Sequence, residues 1–304
     1  MANRFSLFRS DSTGPLRPRL ACEITPEGVI AARQSEGADP TTVTSFSPLP
    51  VGSLAPGLAT PNLVNRERVV AALKSALDEV AERGRELTLV IPDVAVRVLL
   101  LDFDTLPAKP AEALPIVRFR LRKLVSFDVD DAAISYQAMD EKSDQVKTIV
   151  AAMPRAVLNE YESAVRDAGY EPGAVLPSTL CAIATVPDTE NSLVINCNGL
   201  SVTSAITRQS QLMLHRTLDL PADQRIFVPE VQQVVSVAMA YFEDTLAAPP
   251  QSLLYVGPGG AAELDRILND HTIHVRDLVP TPGTGSANAM PKGLLAGVVG
   301  ALAN

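Results

Sequence analysis

The sequence predicts an α/β protein of two related lobes, and three observations carry that expectation. Apolar runs with period-2 alternation interleave with segments of period 3.6 along most of the chain. A β-hairpin opens each half, near Arg19–Gln34 and again near Asn191–Leu218, before helices and strands alternate. The 304 residues, 46% hydrophobic and 20% charged, are enough for two lobes, each with its own core.

In order along the chain, Arg19–Ile24 and Val29–Gln34 flank the turn Thr25-Pro26-Glu27-Gly28 as a hairpin. The stretch 35–62, rich in Pro, Gly, Ser and Thr, is a loop with weak strand signals at Thr42–Phe46. Asn65 caps a helix whose Val69, Leu73, Ala76, Leu77 and Val80 recur at helical spacing, and Gly84 stops it. Leu87–Ile91 and Ala95–Phe103 are strands, Ala111–Val125 is a helix despite Pro115, and Ala132–Met139 and Val146–Met153 are two further strands. Pro154 opens a helix that Gly169 closes; a short strand at Val175-Leu176 and a short helix at Thr179–Ala184 end the half. After the polar stretch Pro187–Asn191 comes the second meander. Pro229 then opens a helix, Ser252–Val256 is a strand, Gly257–Gly260 turns into a helix ending near Leu268, and Thr272–Val275 is the last strand. A crossing loop, Pro280–Met290, leads to a small-residue terminal helix.

Composition bounds the function. The net charge of -9 disfavours nucleic acid as the main partner. The 3 cysteines, Cys22, Cys181 and Cys197, are scattered among apolar neighbours and read as buried free thiols of a reducing compartment. The opening "MANRFSLFRSDSTGPLRPR" has no apolar core for a signal peptide, and "GLLAGVVGALAN" falls short of the ~20 apolar residues of a membrane helix.

The stretches "IPDVAVRVLLLDFDTLP", "LRKLVSFDVDDAAISYQAMD", "AAMPRAVLNEYESAVRDAGYEPGAVLPSTLCAIAT", "RTLDLP" and "MPKGLLAGVVGALAN" resemble the PilM family, and more distantly the cytoplasmic domain of the type II secretion L protein. The resemblance implies an actin-like (ribonuclease H-like) two-lobe ATPase fold with the second lobe reduced. Residues 1–186 would form the first lobe with a subdomain inserted at about 106–170, residues 187–288 the second, and 289–304 a helix returning to the first. It also implies a cytoplasmic protein, peripheral to the inner membrane of a type IV pilus or related secretion system. Its partners would be a PilN-like bitopic protein, held by its N-terminal tail in a first-lobe groove, and other platform or motor components. The groove would lie near the helix Ala111–Val125, where Arg118 and Arg122 share a face, and near the corner Val125–Phe127. The basic run "RFRLRK" reads otherwise as a solvated face, or as a contact for an acidic segment or anionic lipid headgroups.

In intact family members ATP lies between the lobes. Two glycine-bearing hairpins cradle its phosphates, and acidic residues hold Mg²⁺ through water. Here Glu23-Ile24-Thr25 stands at the first Asp-x-Gly, with Pro26 donating no N–H. Asn196 and Asn198 replace the Asp and Gly of the second, where Asn198-Gly199 makes a good two-residue turn. Gly257, Gly259 and Gly260 sit at a strand-to-helix turn of the kind that approaches adenosine in the family. The link from Leu218 to Pro229 leaves no room for the subdomain that walls the adenine. The expectation is therefore a scaffold with no cofactor and a degenerate nucleotide site. The rival is a working actin-fold ATPase or sugar-kinase-like phosphotransferase binding Mg-ATP. No catalytic triad or paired carboxylates stand out, and His271 and His274 have no companion metal ligand at the expected spacing.

Overall fold

The computed structural model describes residues 18–35, 41–140, 145–198, 200–209, 211–220, 224–250, 252–280 and 290–303. The first lobe opens with strands β1 (Leu20–Ile24), β2 (Gly28–Gln34) and β3 (Thr42–Pro48), followed by helix α1 (Arg66–Val80) and strand β4 (Glu86–Ile91). Strand β5 (Arg97–Phe103), helix α2 (Pro110–Leu121) and strands β6 (Ala132–Asp140) and β7 (Val146–Pro154) follow. Helix α3 (Arg155–Asp167), strand β8 (Glu171–Pro177) and helix α4 (Ser178–Ala182) complete the half. The second lobe contains β9 (Asn191–Cys197), β10 (Ser201–Arg208), β11 (Gln211–Asp219), α5 (Gln224–Leu246), β12 (Leu253–Val256), α6 (Ala261–Leu268) and β13 (Val275–Asp277); α7 (Ala296–Leu302) comes last.

The relatedness of the lobes is explicit in their sheets. The first is ordered β3-β2-β1-β4-β8 and the second β11-β10-β9-β12-β13. In each, an antiparallel three-strand meander is extended by two parallel strands. The duplicated order is that of the actin-like, ribonuclease H-like fold.

Alternation assigns each sheet two buried faces. Cys22, Ile24, Leu87, Leu89 and Ile91 face α1 and α3, whereas Ala21, Ile30, Val90 and Leu176 face α7. In the second sheet Leu193, Ile195, Val202 and Leu253 pack under α5 and α6. Their neighbours Val194, Ala205, Leu254 and Val256 join the first lobe's core. One face of the second sheet is thus buried against the first lobe, and the lobes share a continuous apolar interior. Asn65 caps α1 by accepting the Arg68 N–H at 3.3 Å, as its position before the periodic run predicts.

Several boundaries depart from the periodicity. Strand β3 runs its full seven residues although only Ser45 and Phe46 are buried, because it pairs along its whole length with β2 at the edge of its sheet. Pro229 does not open α5: the helix starts at Gln224 and carries Pro229 inside, where the ring removes one backbone bond. The last strand is Val275–Asp277, because His271 and Thr272 sit in an exposed turn. The inserted three-stranded sheet, ordered β5-β7-β6, begins at Arg97 and ends at Pro154; α3 belongs to the first lobe proper, packing on β8 and α1. Four residues, 220–223, separate β11 from α5, so the second lobe carries no insertion there. Cys22, Cys181 and Cys197 are buried free thiols. Among the described residues no helix is long and apolar enough to cross a membrane. The loop 281–289 lies outside the described residues.

Candidate functional site

Two places on the first lobe could carry function: its seam with the second lobe, and a groove beside the inserted sheet. The seam is built by strand ends. β4 ends at Ile91, and a 3-10 turn, Asp93–Ala95, points Asp93 back into the interior, where it is 3% exposed. β8 ends in Pro177 and feeds α4, whose first residues Ser178 and Thr179 are buried. From the second lobe, Asn196 and Thr203 are register partners on β9 and β10, on the face turned to the first lobe.

These groups form one hydrogen-bonded cluster. The Thr179 backbone N–H donates to Asp93 Oδ1 at 3.0 Å and its hydroxyl to Oδ2 at 2.5 Å. Thr203 Oγ1 reaches the same Oδ2 at 3.0 Å and lies 3.0 Å from the Thr217 hydroxyl. Asn196 Nδ2 lies 3.0 Å from both Ser178 Oγ and Thr179 Oγ1. Ser178 in turn donates to Glu23 Oε1 at 2.6 Å. Asp93 therefore binds both lobes through one carboxyl group.

Glu23 lies on β1, 4% exposed, beneath α7. A Cβ at Gly297 would collide with Glu23 Oε2, and one at Gly300 with the Cys181 carbonyl, so these two glycines allow α7 to lie directly on the first lobe. Burial pushes the Glu23 carboxyl up to about 8; the Ser178 hydrogen bond opposes that, and Asp93 and Glu27 add to it. Glu27 is itself raised, chiefly by burial, and its Oε2 has no partner among the described residues.

The predicted phosphate and adenosine positions have protein partners. Thr25 N–H donates to the Gly28 carbonyl at 2.9 Å, and Gly28 N–H lies 3.2 Å from Thr25 Oγ1. Asn198 Oδ1 accepts from Leu200 N–H at 3.1 Å and from Ser201 N–H at 2.9 Å. Gly199 lies outside the described residues. Gly257, Gly259 and Gly260 all take positive φ; Gly257 N–H donates to the Gly293 carbonyl at 2.9 Å, and Ala261 N–H at the start of α6 donates to Asp277 Oδ1 at 2.6 Å. Among the described residues no group of three His, Cys, Asp or Glu is placed to hold a metal.

The groove lies between the inserted sheet and the first lobe. β6 is an edge strand of the three-stranded sheet, and β8 an edge strand of the first sheet. Between them is a cavity of about 220 Å³, lined by Ile134 and Ser135 of β6, Ala151 and Met153 of β7, and Ala174 and Val175 of β8. Arg118, Arg122, Val125 and Phe127 do not line it. They belong to the α2 side of the inserted sheet, where Val117 and Leu121 pack with Leu101, Phe103 and Val129. The Arg118 guanidinium donates to the Val129 carbonyl, and Arg122 pairs with Asp130 at 2.9 Å.

The sequence reading missed Asp93, Ser178, Thr179 and Thr203. Asp93 carried a usable signal: it is the single charge in the apolar run "LTLVIPDVAV". The three hydroxyl residues carried none, because Thr179 and Thr203 meet Asp93 only across 86 and 110 positions of chain and Ser178 meets Glu23 only across 155.

No family model matches the chain, and no curated protein does. Among solved structures it is similar to the "PilM-PilN type IV pilus biogenesis complex", at 17% identity and TM-score 0.73, over 95% of this chain and 98% of that one. It is also similar to the cytoplasmic domain of EpsL, an inner-membrane component of the type II secretion system of Vibrio cholerae, at 12% identity and TM-score 0.51, over 93% and 92%. These likenesses agree with the sheet topology: the fold is actin-like.

Proposed function

We propose that this chain is an actin-fold scaffold of a type IV pilus or related secretion platform, working at the cytoplasmic face of the inner membrane. It would hold an extended segment of a PilN-like bitopic partner in the groove between β6 and β8. The observation that carries this reading is the pair of free strand edges flanking an apolar cavity. An extended peptide can add to such an edge through main-chain hydrogen bonds, while pockets select its side chains. One buried apolar anchor would contribute ~1.5–3 kcal/mol. Similarity to the PilM-PilN complex over nearly the whole chain supports the choice of partner class.

The test is a titration with the N-terminal cytoplasmic peptide of a PilN-like bitopic protein. Ala151 is half-buried on the groove wall, so Ala151→Phe fills the cavity. It is expected to weaken binding at least about tenfold, or ~1.4 kcal/mol. The double variant Arg118→Glu/Arg122→Glu should leave affinity unchanged, because both side chains are engaged away from the groove. Undiminished binding to the Ala151→Phe protein would remove the groove from the reading.

The seam, on this proposal, is structural and turns over no nucleotide. Mg-ATP does not fit the residues present. The N–H groups that would cradle phosphate have internal partners, and the Glu23 and Asp93 carboxyl groups are held by Ser178, Thr179 and Thr203. Glu27 adds a further, half-buried acid, which disfavours a polyanion. Calorimetry with Mg-ATP should show no saturable heat. A low-micromolar dissociation constant abolished by Glu23→Ala would instead favour the working ATPase.

A further inference from the structure

We propose that the outer face of α2 is a contact surface for an anionic lipid bilayer. The inner face of the helix is accounted for, since Ala113, Val117 and Leu121 are fully buried on the inserted sheet. Away from them the helix exposes two large apolar side chains, Phe119 at 68% and Ile116 at 40%. Phe119 lies three residues from Ile116 and two from Val117, which places it with Ile116 on the crest and not beside the core.

Charge selects the occupant. Residues 109–127 hold five cations, Lys109, Arg118, Arg120, Arg122 and Lys123, against the single acid Glu112, in a chain of net charge -9. Arg118 and Arg122 are used internally, but Arg120 and Lys123 have no partner among the described residues and flank Phe119. The aspartates that follow are largely engaged: Asp130 pairs with Arg122, Asp131 with Arg155, and Asp128 accepts the Asp130 N–H. An acidic peptide would answer the two free cations and leave Phe119 and Ile116 in water. A headgroup layer answers both, since long basic side chains reach phosphate while the apolar tips enter the acyl boundary. Each cation near such a surface adds to the attraction. The contact is weak alone and gains force where another attachment already holds the protein at the membrane. It does not depend on what the groove binds.

The chain contains no tryptophan, so Phe119→Trp supplies a single reporter at an exposed position. With vesicles containing phosphatidylglycerol its emission should shift to the blue and be quenched by brominated acyl chains. High salt, phosphatidylcholine vesicles, or Arg120→Glu/Lys123→Glu in the same background should abolish the shift. In parallel, the protein with Phe119 intact should float with anionic vesicles and Phe119→Gln should not. No shift with anionic vesicles, a shift that survives charge reversal, or a shift given by polyglutamate and not by vesicles would each overturn the assignment.

Discussion

Glu23→Gln is expected to stabilise the protein above neutral pH and to flatten its stability between about pH 4.5 and 8. The folded-state carboxyl titrates near 8, far above the ordinary carboxylate range, because it is buried under α7. Between the unfolded and folded values the native protein binds one proton more than the unfolded chain, so stability falls as pH rises through that window. Each unit is worth ~1.4 kcal/mol for a single group, which sums to several kcal/mol across the window. Stability from this residue is complete below the unfolded value and lost through the folded one. Glutamine keeps the oxygen that accepts from Ser178 and removes the ionisation. Urea titrations at about pH 5, 7 and 9 check it. Wild-type and variant curves that stay parallel with pH would show that Glu23 ionises without resistance.

The second large effect is at Asp93. Asp93→Ala removes the acceptor shared by the Thr179 N–H, the Thr179 hydroxyl and the Thr203 hydroxyl. A buried donor left unpaired costs ~1–3 kcal/mol, so the variant should lose on the order of 3–5 kcal/mol. Asp93→Asn should recover part of this, since the hydroxyls can turn to accept from its amide while Oδ1 still meets the Thr179 N–H. Asp102→Ala, on an exposed position of β5, serves as the control and should stay within ~0.5 kcal/mol. Equal denaturation midpoints for Asp93→Ala and Asp102→Ala would mean that the seam contributes little to holding the lobes together.

The order of elements was legible because the core faces are regular. Leu87, Leu89 and Ile91 alternate with Thr88 and Val90 along β4, and Val69, Leu73, Ala76, Leu77 and Val80 repeat along α1. What failed was local and had local causes. A proline that commonly starts helices sits inside α5, and β3 buries too little to show a strong pattern. The site was legible only at residues that resemble a motif. Glu23 and Asn196 were identified by position, but their side-chain partners come from the residues that follow β4 and β8. Which strand ends converge is decided by sheet order, and one-dimensional spacing does not encode it. The cavity beside the inserted sheet was not legible for a related reason: its two walls come from β6 and β8, which belong to different sheets.

The position of α7 sets an order of events during synthesis. Residues 296–302 cover Ala21, Ile30 and Val90, so a face of the first sheet made early stays open until those residues are made. Between β1 and α7 the ribosome adds 271 residues (296 − 24 − 1), which at roughly 5–20 residues per second takes about 14–54 s. Throughout that interval the nascent first lobe leaves an apolar sheet face uncovered. The protein should therefore be a strong client of chaperones that guard nascent chains, and a ribosome stalled before residue 296 should display an aggregation-prone lobe. Fusions that delay release of the C-terminal segment should prolong that dependence.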